Sequence, residues 1–232
     1  MRRTLYILLF FIISPVLLFA QTKEQSAWFA FLNTTKINNR WGLQFDVQFR
    51  SADEVKYVRN YLFRSAIAYT FDKKNNLSIG HTIYETNTGA TPSVTLNEHR
   101  ITEQYVHTES IKSIAITNRF RLEQRFIEKT PATNVFSQRF RYFLKVLIPL
   151  AKQESAFKKG LFATVQDEIF LNIQNKGSIN GSLFDQNRVY AGIGQRFSPK
   201  LDVEIGYMSS FQKRSSVDLR NSVMQLAFFT RF

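Results

Sequence analysis

The stretch NRFRLEQRF, Asn118–Phe126, sets charge and grease on alternate positions. Arg119, Arg121, Glu123 and Arg125 are spaced two apart, with Phe120, Leu122, Gln124 and Phe126 interleaved. In an extended strand, alternate side chains point to opposite faces. One face of this strand is therefore ionic and the other mostly apolar. If the apolar face met lipid, an arginine placed there would cost roughly 2–4 kcal/mol near the bilayer midplane. Three such arginines would cost on the order of a domain's whole stability, so in a membrane barrel they must face inward. The same alternation also suits the wet face of a soluble sheet.

The first twenty residues favour the membrane reading. Arg2 and Arg3 precede an apolar run, Leu5–Phe19, broken only by Ser14 and Pro15, and Ala20 offers a cleavage site. This is the pattern of a secretory signal peptide. A retained anchor is the alternative, but the run is short for a bilayer span of ~20 residues. Cleavage after residue 20 would remove two arginines and no acid, taking the net charge from +13 to +11. For an exported chain, that charge points to anionic membrane or lipopolysaccharide rather than to nucleic acid. With no cysteine, the chain has no disulfides, thiol catalysis or lipoprotein anchor. No later segment approaches 18 consecutive apolar residues, which excludes helical spans.

Period-two alternation recurs along the chain. Trp41, Leu43, Phe45, Val47 and Phe49 share a face, as do Leu201, Val203, Ile205 and Tyr207. The pattern predicts strands near 41–50, 60–71, 76–87, 97–107, 112–126, 137–149, 161–174, 186–197, 200–211 and 221–232. They are longer than the ~5–6 residues usual in soluble sheets and match the ~9–11 that cross a bilayer. Short connections (72–75, 108–111, 198–199) are expected to alternate with long polar ones, as in an outer-membrane barrel. The expected fold is an all-β, antiparallel transmembrane β-barrel of about ten strands, with twelve as the alternative. Its organisation would be a signal peptide over 1–20, an N-terminal segment over 21–40 acting as plug or extra strand, and the barrel over 41–232. Residues 27–34 are apolar on both faces and have no place in an even, up-and-down closure. Phe228 and Phe232 close the last strand in the manner of the signal read by the outer-membrane insertion machinery.

The expected lumen cluster is Arg64, Glu98, Arg100, Arg119, Arg121, Glu123, Arg125, Arg139, Arg141, Arg188 and Glu204. Gln44, Asp46, Gln48, Arg50, Lys145, Gln166, Glu168, Arg196, Asp202 and Arg231 are further lining. Asp167 and Glu103 fall on apolar faces, which places them at a rim or requires a bulge. Eight strands are just filled by side chains, so ten should be mostly filled by cross-lumen Arg–carboxylate pairs. The excess of cations would make any remaining pore prefer anions.

Six motifs occur in order: EQSAW (24–28), EHR (98–100), RLEQR (121–125), RFRY (139–142), DQNR (185–188) and GY (206–207). Together they resemble the uncharacterised bacterial family called domain of unknown function 2490, over nearly the whole mature chain. The resemblance implies an outer-membrane barrel of Bacteroidetes-type bacteria and supplies no reaction, ligand or site.

No catalytic, cofactor or metal site is expected. His81, His99 and His107 lack ligand spacing, and His99 and His107 lie about 25 Å apart on one strand at roughly 3.3 Å per residue. Glu98 and His99 are strand neighbours on opposite faces and cannot form a dyad. No G-x-S-x-G elbow is present. Gly192 and Gly194 read as close strand packing rather than as a phosphate loop. Three functions remain: a largely closed structural or interaction barrel in the outer membrane, a narrow anion-preferring channel, and a membrane-embedded lipid-modifying hydrolase assembled from separate strands. The expected partners are outer-membrane lipid, lipopolysaccharide and, during assembly, the insertion machinery.

Overall fold

Side chains that alternate over 12 to 17 residues have one low-cost solution, a strand with its two faces in different surroundings. The computed structural model describes residues 21–90, 93–151 and 157–232, so the expected signal peptide lies outside the described residues. Eleven strands follow one another: β1 (Gln21–Lys36), β2 (Trp41–Ala52), β3 (Tyr57–Thr70), β4 (Asn75–Asn87), β5 (Thr95–Ile111), β6 (Ile114–Thr130), β7 (Thr133–Pro149), β8 (Gly160–Gln174), β9 (Phe184–Ser198), β10 (Leu201–Gln212) and β11 (Asp218–Arg231). A single 3-10 turn, Lys176–Ser178, is the only helical element among the described residues. Each strand pairs antiparallel with the next, and β1 closes the barrel against β11.

The strand count is eleven, neither ten nor twelve. The difference is the N-terminal segment, which forms β1 in the wall. Its apolar residues serve both sides: Phe29 and Phe31 are exposed outside, whereas Ala30 is buried and Trp28 and Leu32 are partly buried inside. An odd up-and-down count forces the first and last strands to run the same way. The closing pair is accordingly parallel, with Gln21 beside Asp218 and Thr34 beside Arg231. The start of β1 and the end of β11 therefore lie at opposite rims, not at one rim as an even count would require. We call these the Gln21 rim and the Phe232 rim.

The expected contrast between short and long connections is weak. At the Gln21 rim the strands are joined by residues 53–56, 88–94, 131–132, 175–183 and 213–217. At the Phe232 rim they are joined by 37–40, 71–74, 112–113, 150–159 and 199–200. The predicted long loop 127–136 is a tight turn, because β6 and β7 stay paired out to Thr130 and Thr133.

The outer wall is apolar and aromatic. Phe120 packs on Tyr142 with centroids 5.1 Å apart, Phe29 on Phe228 at 5.7 Å, and Phe49 on Tyr61 at 5.7 Å. Asp167 and Glu103 do lie on this wall, with no change of register beside them. Each is held by an amide of the adjacent strand: Asn187 Nδ2 donates to Asp167 at 2.6 Å and Gln124 Nε2 to Glu103 at 3.0 Å. Inside, the seam side is apolar, where Tyr190, Met208 and Val223 are buried against Trp28. Gly192 and Gly206 leave room for the Tyr190 ring, and Gly194 for that of Phe162. Most of the remaining interior is polar or ionic.

Candidate functional site

Several residues buried within the barrel are bonded to strands that are not their neighbours. Arg119 of β6 reaches Glu168 of β8 at 2.7 Å, Arg139 of β7 reaches Asp185 of β9 at 2.8 Å, and Lys145 of β7 reaches Glu204 of β10 at 2.8 Å. Such bonds can only cross the enclosed space.

Glu123 is the hub. It is fully buried and accepts Nε and Nη2 of Arg139 at 2.9 and 2.6 Å and Nη1 of Arg141 at 2.5 Å. Arg121 lies 3.9 Å away and donates to Gln104. Arg141 also donates to Glu168 through Nε and Nη2. Arg121, Glu123, Arg139, Arg141, Glu168, Arg119 and Asp185 thus form one connected network. Planar guanidinium forks facing carboxylates make the strong, directional pairs expected of charges removed from water.

The other members of the expected cluster separate into smaller groups. Glu98 accepts from Arg100 at 2.7 Å and from Arg125 at 2.6 Å. Arg64 pairs with Asp46 at 2.7 Å, and Asp46 continues through Gln48 to Arg50 along β2. Glu204 takes Lys145 and, at 3.1 Å, Gln166. Arg188 has no carboxylate partner among the described residues and stacks on Trp28 and Phe170. Near the Phe232 rim, Asp202 is shared by Arg196 and Arg231, both at 2.7 Å. Phe232 itself is exposed, and Phe228 packs on Phe29 across the seam.

Two cavities flank the Glu123 network and share no lining residue. One, of about 740 Å³, opens toward the Phe232 rim and is lined by Asp46, Arg64, Arg119, Arg121 and Arg231 among others. The other, of about 270 Å³, lies toward the Gln21 rim between Trp28, Tyr84, Phe170 and a set of arginines. Glu123 lines neither and bonds residues that line the second, so it stands in the partition between them.

Reading the sequence by alternation passes over Asp185 and Trp28. Asp185 is a bulge: β8 pairs Phe170 with Gln186 and Leu171 with Phe184, skipping it. A bulge puts an extra residue against one partner, so Asp185 and Gln186 are both buried inside. Arg59 is skipped likewise between β2 and β3 and turns to Glu24 at 2.9 Å. Trp28 was hidden because β1 is apolar on both faces. The histidines are not scattered either. His81 and His99, on adjacent strands, stack on the outer wall with rings 5.3 Å apart and nitrogens at 3.3 Å. No group of three or more potential metal ligands exists among the described residues. Glu98 is buried inside while His99 is exposed outside, so they share no site.

Fold and interior together define a closed, up-and-down β-barrel whose interior holds a network of buried ion pairs. The chain belongs to the family described as Protein of unknown function (DUF2490), whose family model matches residues 25–221. No curated protein and no solved structure matches the chain.

Proposed function

We propose that the protein is an outer-membrane β-barrel with a largely closed, charged lumen and a structural or interaction role, exported by its N-terminal signal. One observation carries this reading. The wall exposed to the surroundings is apolar, while the arginines and carboxylates are enclosed and bonded across the interior. In water, an exposed apolar surface of this extent would drive aggregation, whereas in a bilayer it is the required face. Trp41, Tyr69 and Phe71 form an aromatic cluster at the Phe232 rim, with Trp41 and Tyr69 4.9 Å apart. That is where aromatic girdles sit at a lipid–water boundary. By this reading the Phe232 rim is periplasmic and the Gln21 rim faces outward toward lipopolysaccharide. The closing strand, ending in Phe228 and Phe232, is the segment presented to the insertion machinery.

The partition at Glu123 favours a closed barrel over the runner-up, a narrow anion-preferring channel. The cation excess of the interior is the observation on the channel's side. Single-channel recording of purified protein in a planar bilayer separates them. The closed barrel gives no steady conductance, and a steady anion-selective step would replace this reading with the channel. Recovery of the exported chain in the soluble fraction without detergent would overturn the membrane assignment itself.

A further inference from the structure

The 270 Å³ cavity toward the Gln21 rim is walled by eight arginines and one carboxylate, Glu98. Five of the eight are matched: Arg59 by Glu24, Arg100 and Arg125 by Glu98, Arg139 by Glu123 and Asp185, and Arg141 by Glu123 and Glu168. The guanidinium groups of Arg50, Arg188 and Arg214 have no carboxylate partner among the described residues; Arg214 meets Asp218 only through its main-chain N–H. Arg50, 8% exposed, gives Nε and Nη2 to the neutral Gln48. Arg188 gives Nη2 to the neutral Gln186 at 3.2 Å, and its Nε is buried without a partner. Arg125, also 8% exposed, leaves Nη1 buried and unpartnered. Arg50 and Arg188 lie 4.2 and 5.1 Å from the centroid of the same Trp28 ring. Arg214 is exposed at the mouth.

Folding does not gather unneutralised guanidinium groups in one enclosed space without a compensating charge. We propose that this cavity binds a phosphate-class dianion, either free or as the terminal group of a phosphomonoester. Arg50 and Arg188 are two enclosed cations without a carboxylate, and Arg214 adds a third at the mouth, a set that suits a dianion better than the single charge of a carboxylate. Guanidinium forks present paired N–H donors that suit tetrahedral phosphate oxygens. The volume exceeds that of one phosphate, which leaves room for part of the group that carries it. The site goes beyond the closed-barrel reading and holds whether or not the interior conducts.

The chain has two tryptophans, and Trp41 is on the outer wall. Trp41→Phe therefore leaves Trp28 as the sole indole reporter. The refolded W41F protein is titrated with inorganic phosphate and with glucose 1-phosphate at constant ionic strength, with chloride as the reference anion. The expected result is a saturable change in Trp28 fluorescence at phosphate concentrations where chloride gives none. Affinity should fall at least tenfold with Arg188→Gln and with Arg50→Gln, and stay unchanged with Arg231→Gln at the other rim. A response to inorganic phosphate assigns the free anion, and a response to glucose 1-phosphate alone assigns the monoester. Gel mobility of each unboiled sample verifies folding, and a variant that fails it is replaced by its lysine counterpart, which keeps the charge but loses the fork. No response to either ligand, or an equal response in the Arg188 and Arg50 variants, overturns the site.

Discussion

Glu123→Gln tests whether the barrel is held together from within. The carboxylate is fully buried and accepts three charge-assisted bonds, two from Arg139 and one from Arg141. At about 1.5–3 kcal/mol for each hydrogen bond to a charged group, the gross loss would be of order 5–9 kcal/mol. Arg139 keeps Asp185 and Arg141 keeps Glu168, which returns part of it. Arg121 loses the only carboxylate within 4 Å of it among the described residues. The amide that replaces the carboxylate also turns an N–H₂ toward groups that are themselves all donors. The net cost should be about 3–5 kcal/mol, as when one partner of a buried pair is removed. The measurement is a urea titration of protein refolded into lipid vesicles, with the folded fraction read from the mobility of unboiled samples. Asp53→Asn, which breaks a solvent-exposed pair with Lys56, should leave the midpoint of the same titration nearly unchanged. Adding Arg139→Gln to E123Q should cost less than it does in the wild type, because the two share one interaction. If E123Q costs as little as D53N, the interior network is not what stabilises the barrel.

Three further outcomes are expected. Phe120→Arg puts a cation on the outer wall at a cost of about 2–4 kcal/mol and should prevent membrane assembly, whereas Arg121→Gln should lower stability yet assemble; like behaviour on heat-modifiability gels would refute the facing of β6. Gly194→Val should destabilise by roughly 1–3 kcal/mol through overpacking, since its side chain would meet the buried Phe162 ring, and Phe162→Leu should recover part of the loss in a urea titration. In the cysteine-free chain, Thr22→Cys at the Gln21 rim should react with a membrane-impermeant maleimide on intact cells, and Lys200→Cys in the opposite turn should react only after lysis; labelling of both on intact cells would contradict closure by parallel strands.

The parts of the fold visible in the sequence are those that depend on a period of two. β6 sorts into two faces from Asn118–Phe126 alone, because each residue's side is set by its neighbours. The barrel closure does not depend on that period. β1 is apolar on both faces because its inward side meets Tyr190, Met208 and Val223 rather than the ionic network, so alternation gives it no signature. Partners are equally hidden. Arg139 meets Glu123 on the adjacent strand and Asp185 two strands away, and that depends on strand register and on a bulge that alternation cannot express. The same bulge made Asp185 look like a loop residue. The pairing of His81 with His99 follows from the offset between β4 and β5, which no local motif records.

The parallel seam also limits how the chain could be rearranged. In a barrel with an even number of strands, a short loop can join the two ends and new ends can be cut elsewhere. Here the ladder from Gln21–Asp218 to Thr34–Arg231 spans thirteen residue steps, about 43 Å at roughly 3.3 Å per step. A tether from Phe232 back to Gln21 would have to traverse the height of the wall, through the interior or along the outer face. Circular permutants that retain all eleven strands should therefore fail with turn-length linkers, and deleting β1 before joining the ends is the rearrangement this architecture permits.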